Sequence, residues 1–478
     1  MDSTADGGDE WLREYARAAP APGLVVLMQA GEPAVGTIAI TRASAGVELG
    51  RGSPHGLFAE DAQVSRGHVR VALTAQGQGF RIQDLGSRNG TFLDGVRVEG
   101  AVECTAPALL RIGRSLLWLV ADIRPFTGQT PPTSQGGTGP IVGGLSRRAL
   151  GEIAIASKAG DTLLLLGESG AGKELMARAF HEAHFGPDSR APLVAVNCAT
   201  VPEGLAERLL FGAKRGAFSG ATDSEGYIVE AHGGTLFMDE VAELDPLVQA
   251  KLLRVFETRE VVALGAVSPR KVSIRICAAT HRDMRAEVAA GRFRADLYYR
   301  IGRPEVRLPP LRDRLDEVPW LLQRACRMAD VRLPMAVTTV ESVALRPWPG
   351  NVRELLQEAR RAAHAALHEG AEQVRPEHFS AEAGLQLGPG VDAAGAAAAS
   401  GAQPRSVAAL DDAAIAAALA ENGGNVTRTA KALGLHRNQL RRWVAKHAAT
   451  LPRSASGSPD AMDDAAGATE PPEDDDDV

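Results

Sequence analysis

The chain has 478 residues, 45% hydrophobic but only 4% aromatic, with 51 glycines and a formal net charge of −7. That length makes about three domains, each able to bury its own core, and excludes a chain disordered throughout. No apolar run approaches the roughly 20 residues needed to cross a bilayer, and the acidic stretch 1–10 is no basic-then-apolar signal, so a cytoplasmic protein with no membrane partner is expected.

Four cysteines, Cys104, Cys198, Cys277 and Cys326, are scattered without CxxC or Cys/His spacing. They read as reduced structural thiols, neither disulfides nor metal ligands. The acid is unevenly spread: residues 470–477 supply much of it, and one basic cluster remains near the C-terminus.

Residues 1–22 form a leader in which 11–17 has the makings of a short helix, ended by Pro20 and Pro22. From 23 to 122 the pattern changes to short β-type runs (24–28, 35–41, 46–49, 68–73, 79–83, 108–112, 116–120) between Gly, Pro and Ser turns. Strands of that length and spacing predict an all-β sandwich.

The sandwich loops carry three signatures in order: Gly50-Arg51, Ser65-Arg66-Gly67-His68, and Leu85-Gly86-Ser87-Arg88-Asn89-Gly90-Thr91-Phe92-Leu93-Asp94-Gly95. Together they resemble a forkhead-associated (FHA) domain, which implies a phosphothreonine protein or a Ser/Thr kinase as partner. A phosphothreonine carries a charge of about −1.5 to −2 and strong acceptor oxygens. Arg51 is expected to pair with it, Ser65 to donate its hydroxyl, and Arg66 or Arg88 to add charge. The resemblance assigns Asn89 to the peptide backbone beside the phosphate, while Gly50, His68 and Gly90 read as loop-shaping. A threonine-bearing linker, 123–141, follows. Its threonines are usable as phosphosites for the same groove, in cis or between subunits, or are simply solvated.

The next segment, 142–384, is organised around a nucleotide loop. The apolar run 162–166 leads into Gly167-Glu168-Ser169-Gly170-Ala171-Gly172-Lys173 and then a helical stretch, 174–183. Strand, glycine loop and helix is the order a P-loop needs, because backbone N–H groups and the helix N-terminus cradle phosphates together. Lys173 is expected on the β and γ phosphates, although Glu174 stands where the general pattern has Ser or Thr for Mg²⁺. A second apolar strand ends in Asp239-Glu240, read as a Mg²⁺ ligand, directly or through water, and a polariser of the attacking water.

Between these motifs lies Lys214-Arg215-Gly216-Ala217-Phe218-Ser219-Gly220-Ala221, an aromatic presented by small residues. A ring at the tip of such a loop gains nothing from burial at home and is expected to pack against another molecule. Gly216, Ala217, Phe218, Ser219, Gly220 and Ala221 resemble the GAFTGA loop of the NtrC-like bacterial enhancer-binding proteins. In that family the loop touches sigma-54 of RNA polymerase and ATP is hydrolysed by an α/β AAA+ domain with a helical lid.

The resemblance implies further roles. Asn197 would hold Glu240 off the water until sigma-54 is engaged. Thr280 is favoured over His281 for the γ-phosphate, Arg294 and Arg300 would be arginine fingers reaching a neighbour's site in a homo-oligomeric ring of six or seven, and Arg353 the second sensor. Two departures stand out: Asp223-Ser224-Glu225 replaces the family's basic residues after the loop, and the segment before Thr162 is short. The first bears on subunit contacts or sigma-54 docking, the second on adenine packing.

A second linker, 385–407, is rich in Ala, Gly and Pro. Within 408–447, stretch 410–420 is helical in pattern, Gly423-Gly424 breaks it, Asn425 caps 426–433, and Gly434 turns the chain into 437–446. This all-α helix-turn-helix spacing resembles the Fis-type module, which implies upstream promoter DNA as partner. Its later helices carry Arg428, Lys431, Arg437, Arg441, Arg442 and Lys446 with no acid. Asn438, Gln439 and Arg442 are assigned to base edges, and Arg428, Lys431, Arg437 and Lys446 to phosphates. The acidic tail 448–478 reads as a disordered solubiliser or a competitor for the basic helices. The whole predicts an ATP-dependent activator of sigma-54 transcription with ATP and Mg²⁺ as cofactors. Two rivals are a repressor whose ATPase only sets oligomer state, in which Phe218 and Ser219 are idle, and a phosphoprotein scaffold with a vestigial motor, against which the complete ATPase residues argue.

Overall fold

Val and Leu crowd the first and last strands of the sandwich, and the computed structural model shows what that crowding is for. The structure describes residues 19–41, 46–54, 56–77, 79–128, 140–217, 222–385, 412–421 and 429. One sheet runs Glu32–Pro33, Gly23–Gln29, Ser115–Val120, Ala108–Ile112, Thr91–Leu93, Val96–Arg97, with Thr37–Ala39 also paired to Gly23–Gln29. The other runs Val47–Leu49, Val69–Leu73, Phe80–Asp84, Ala101–Cys104. Short pieces such as Thr91–Leu93 and Ala101–Cys104 were not predicted: the first sits inside a loop signature and the second is only four residues long with a single buried side chain, Cys104.

Side chains alternate across a pleated sheet, and here both faces are apolar. Leu24, Val26, Leu110, Leu117 and Leu119 fill the interior between the two sheets. Their alternates Val25, Leu27, Leu109, Leu116 and Trp118 point out of the sandwich. They are buried nonetheless, because they share one core with Leu315, Val318, Leu321, Leu322 and Val340 of a helical subdomain more than 190 positions along the chain. Within this joint the Arg111 guanidinium meets the Glu341 carboxylate at 2.6 Å, stacks on the Phe92 ring, and Glu341 also accepts from Gly95 N–H at 3.1 Å. Burial raises the Glu341 carboxyl against the pull of Arg111.

The motor is a five-stranded sheet, all parallel, in the order Leu193–Asn197, Thr235–Asp239, Arg275–Thr280, Thr162–Leu166, Glu305–Arg307. Continuous apolar strands such as Thr162–Leu166 are what a sheet covered on both faces requires. Helices Gly144–Ala159 and Lys173–Phe185 pack against the strand Thr162–Leu166. The lid consists of helices Val318–Met328, Val337–Ala344 and Asn351–His368.

Acids and Arg314 join lid and sheet. Gly143 and Gly144 N–H groups, at the start of helix Gly144–Ala159, donate to Glu317 at 2.9 Å and Asp316 at 2.7 Å, satisfying orphan donors where the helix dipole favours negative charge. Arg314 bonds Ala171 O at 2.6 Å and Ser146 Oγ at 3.0 Å.

Residues 387–478 form a separate unit. Its described helix is Asp412–Glu421, with Ile415 and Leu419 buried, close to the predicted 410–420. Thr429 is helical and buried. Arg428, Lys431, Arg437, Asn438, Gln439, Arg441, Arg442 and Lys446 lie outside the described residues, as do the leader 1–18, most of the first linker and the acidic tail.

Candidate nucleotide and phosphothreonine sites

The loop Gly167–Gly172 bends under strict steric conditions. Gly170 has φ +73°, and a Cβ there would lie 2.2 Å from Gly350 O of the lid. Only glycine allows the loop and lid to approach so closely. Lys173 opens helix Lys173–Phe185 and is buried, its Nζ donating to Gly167 O at 3.1 Å and to Glu240 Oε1 at 3.0 Å. Around it opens a cavity of about 710 Å³. Ser169–Glu174, Asn197, Asp239, Glu240 and Arg353 line its polar part, and Ile141, Leu321, Val352 and Leu356 its apolar part. Glu174 is exposed in the helix's first turn.

The acids sit at the end of strand Thr235–Asp239. Burial raises the Asp239 carboxyl, with Lys173 opposing and Glu240 adding to the rise. A partly buried acid so placed fits a divalent cation, which needs only one or two protein carboxylates when phosphates supply the rest. Glu240 has a left-handed backbone, φ 52° and ψ 49°, a conformation costly for a non-glycine residue and concentrated at functional sites. Burial works to raise its carboxyl, but hydrogen bonds from Lys173 and His281 outweigh it and hold the group below the usual carboxylate range.

Asn197, Thr280 and Glu240 each have hydrogen-bond partners of their own in this geometry. Glu240 is not held by Asn197, whose Oδ1 accepts from Ala199 N–H at 3.0 Å and caps the turn Cys198–Thr200. His281 is bonded to it instead: its Nδ1 lies 2.7 Å from Glu240 Oε2 and its backbone N–H 3.3 Å from the same oxygen. Thr280 is fully buried, and its hydroxyl accepts from Arg282 N–H at 3.1 Å, so it does not line the cavity. Strand alternation explains the exchange, since consecutive side chains leave a strand on opposite faces.

Gly167 and Glu168 line an adjoining cavity of about 730 Å³ with His281, Arg307 and Arg312. The Arg312 guanidinium, at 2.7 Å, holds the Glu168 carboxyl below its usual range. The lid enters through Asn351, fully buried with φ 51°, which donates to Glu168 Oε2 at 3.0 Å and Ser169 O at 3.1 Å and accepts from Leu311 N–H at 2.8 Å. Arg353, two residues on, reaches Ser169 Oγ at 3.2 Å. Arg312 and Asn351 were missed in the sequence because their partners are about 144 and 183 positions away.

Arg294, the N-cap of helix Ala295–Ile301, and Arg300, in its last turn, are exposed. Arg294 pairs with Asp296 at 2.7 Å while its N–H donates to buried Gln249, and Arg300 donates to Phe256 O at 2.9 Å. Neither lines its own chain's nucleotide cavity.

At the base of the glycine-rich loop, Gly216 and Ala217 are described, while Phe218, Ser219, Gly220 and Ala221 lie outside the described residues. The acidic departure has a local use. Asp223 accepts from Arg215 N–H at 2.7 Å and faces Lys214 at 3.7 Å, and Glu225 pairs with Arg270 at 2.7 Å. Ala213 and Ser224 exchange backbone bonds of 2.9 and 3.0 Å, closing the loop's two ends.

On the sandwich, the three loop signatures meet. Arg51 N–H donates to Ser65 O at 3.0 Å, Arg88 N–H to Ser65 Oγ at 3.1 Å, and Asn89 Nδ2 to Gln63 O at 2.7 Å. The side chains of Arg51, Arg66, Arg88 and Asn89 stay exposed around Ser65, whose hydroxyl hydrogen is left to donate. A Cβ on Gly50 would lie 2.2 Å from Arg66 O, so glycine lets the two loops touch. Buried His68 accepts from Ser65 N–H on Nδ1 at 3.0 Å, which leaves Nε2 to donate to Gly90 O at 3.2 Å. Burial lowers its pKa and keeps it a neutral strut.

All four cysteines are free and buried. Burial pushes the Cys198 thiol up to about 12 and Cys326 to about 11, and raises Cys277 as well, so these are inert thiols. Among the described residues no cluster of three or more His, Cys, Asp or Glu could hold a metal, and no helix is long and apolar enough to cross a membrane.

A parallel sheet with the P-loop strand second from its edge, acids at the end of the strand two places across and a helical lid defines an AAA+ ATPase domain, here joined to an FHA sandwich. Models for the sigma-54 interaction domain, the FHA domain and the bacterial regulatory protein, Fis family, match residues 145–307, 47–115 and 406–447. The chain thus carries a sigma-54 interaction domain, an FHA domain and a Fis-type DNA-binding module, and its relatives are transcriptional regulators.

It is 40% identical over 301 residues to the transcriptional regulatory protein ZraR of Klebsiella oxytoca, a match covering 62% of this chain and 65% of ZraR. To the nitric oxide reductase transcription regulator NorR2 of Cupriavidus necator it is 41% identical over 319 residues, covering 62% and 60%. The chain thus spans under two thirds of the length of these relatives. A solved structure of NtrX from Brucella abortus in complex with ADP is similar at 28% identity and TM-score 0.47, over 63% of this chain and 68% of that one.

Proposed function

We propose that this chain is an ATP-dependent activator of transcription by sigma-54 RNA polymerase, held at upstream DNA by its C-terminal module and regulated by phosphothreonine recognition through its FHA domain. The observation that carries the ATPase reading is the convergence of Lys173, Asp239, Glu240 and Arg353 on one cavity that is polar at one end and apolar at the other. The polar end suits phosphates and the apolar end a purine base. Lys173 binds the β and γ phosphates, Glu240 polarises the attacking water, and Asp239 holds Mg²⁺, which when bound supplies neutralisation of phosphate charge. Arg294 and Arg300 reach a neighbour's nucleotide within a ring of this chain.

The loop closed by Ala213 and Ser224 carries Phe218 to sigma-54. Purified protein is expected to hydrolyse ATP with a specific activity that rises with protein concentration. Phe218→Ala is expected to abolish open-complex formation on a sigma-54 promoter while sparing hydrolysis. In vitro transcription with sigma-54 holoenzyme and ATP checks it, and activation by the variant would remove the loop from the mechanism.

The exposed guanidiniums around Ser65 support the regulatory half of the reading. A charge-assisted bond to phosphate is worth about 1.5 to 3 kcal/mol, so Arg51→Ala should weaken phosphothreonine-peptide binding by at least about tenfold. Titration of a labelled phosphothreonine peptide against both proteins measures this. Equal affinities would end the FHA assignment.

A further inference from the structure

Gln249 is fully buried on helix Pro246–Thr258, whose other buried residues are Val248, Leu252, Val255 and Phe256. A buried amide has two donors and an acceptor to satisfy. Its Nε2 donates to Leu244 O at 2.7 Å and to Arg292 O at 3.1 Å, and its Oε1 accepts from Arg294 N–H at 2.8 Å. One side chain thus grips the backbone on both sides of Phe293. We infer that Gln249 is a positioning residue for Arg294, fixing the backbone from which the guanidinium leaves toward a neighbouring subunit's nucleotide. This rests on the reading of Arg294 as an arginine finger and adds to it the group that aims the finger.

The groups around Arg294 leave that task to Gln249. Upstream, Glu287 O accepts from Arg292 N–H at 3.0 Å and Phe293 N–H at 3.2 Å, and Phe293 is buried in the motor core. Downstream, Arg294 O accepts from Tyr298 N–H at 3.0 Å as helix Ala295–Ile301 begins. Between these points the Arg294 N–H is held by Gln249. The arginine side chain supplies no firm anchor of its own. It is exposed and, among the described residues, paired with the exposed carboxylate of Asp296, a surface pair of small worth that the guanidinium can give up for phosphate. The remaining contact of the amide, Leu244 O, closes the turn that follows Glu240, so the clamp is seated on the same turn that leads the chain away from its own acids. A group acting in catalysis needs placing to within about 0.5 Å, which a long side chain on a loose backbone does not meet.

Gln249→Met in the whole chain keeps the length and bulk of the side chain and removes all three bonds. It is expected to lower kcat about tenfold to a hundredfold, the loss that a displacement of about 1 Å at a catalytic group produces, with KM for ATP within about twofold of wild type. Mixed with Glu240→Gln protein it should recover turnover, because some interfaces then join an intact Glu240 to a correctly held Arg294. Added to Arg294→Ala, it should lower the residual turnover no further. A glutamine that merely supports the fold would give no recovery on mixing and would add its loss in full to that of Arg294→Ala. Should the methionine variant not fold, Gln249→Glu, which keeps the length and the acceptor for Arg294 N–H but not both donors, takes its place in the same readings. An unchanged kcat, no recovery on mixing, or a full additional loss in the double variant would overturn the inference. Arg294→Ala protein with wild-type turnover would instead bring down the finger reading itself.

Discussion

Arg294→Ala protein is expected to turn over ATP about 10³- to 10⁵-fold more slowly than wild type, the range over which an arginine finger acts on phosphoryl transfer, and to recover activity when mixed with Glu240→Gln protein. The reason lies in where the two groups stand. Arg294 is exposed, tied within its own chain only to Asp296 and, through its backbone, to Gln249, and lies outside the cavity that Glu240 lines.

A complete site would then draw its base from one chain and its cation from another. Each variant alone lacks one half at every interface. A mixture contains interfaces where an intact Glu240 meets an intact Arg294. Steady-state hydrolysis measured across mixing ratios should peak between the pure proteins. A flat sum of two inactive components would show that Arg294 serves its own chain.

Glu341→Ala, although far from the nucleotide cavity, is expected to destabilise the sandwich–lid joint by about 3 to 5 kcal/mol, because it strands the Arg111 charge in a buried setting. It also leaves Gly95 N–H without its acceptor. The paired replacement Arg111→Met with Glu341→Leu should recover most of the loss, since two apolar side chains need no partners there. Hydrogen exchange in strands Gly23–Gln29 and Ser115–Val120, read with urea unfolding, separates the variants. A single replacement costing under about 1 kcal/mol would mean that the pair is solvated as surface pairs are.

Much of the molecule was legible because its chemistry is local. The P-loop, the strand ending in Asp239-Glu240 and the three sandwich loops are short stretches in which residue type and spacing already carry the physics. Helical patterning over 317–328 and 352–368 anticipates lid helices Val318–Met328 and Asn351–His368 to within one residue. What stayed hidden depended on distant partners. Thr280 and His281 are adjacent in sequence, and only the strand's orientation beside Glu240 decides which one faces it. Asp223 and Glu225 read as departures from a family pattern until Arg215, Lys214 and Arg270 were seen opposite them. The docking of the sandwich on the lid did leave a trace. Residues 24–28 and 116–120 are apolar at every position, where a sandwich strand with one face in water would alternate.

That seamless join has an evolutionary and practical corollary. The phosphate reader is not a bead on a string whose exchange for another input module would leave the engine untouched. Shearing it off bares Leu321, Leu322 and Val340 on one side and Val25, Leu116 and Trp118 on the other, greasy surfaces of the kind that drive self-association. Any exchange of the input module, in evolution or at the bench, has to provide new apolar cover for that face of the lid.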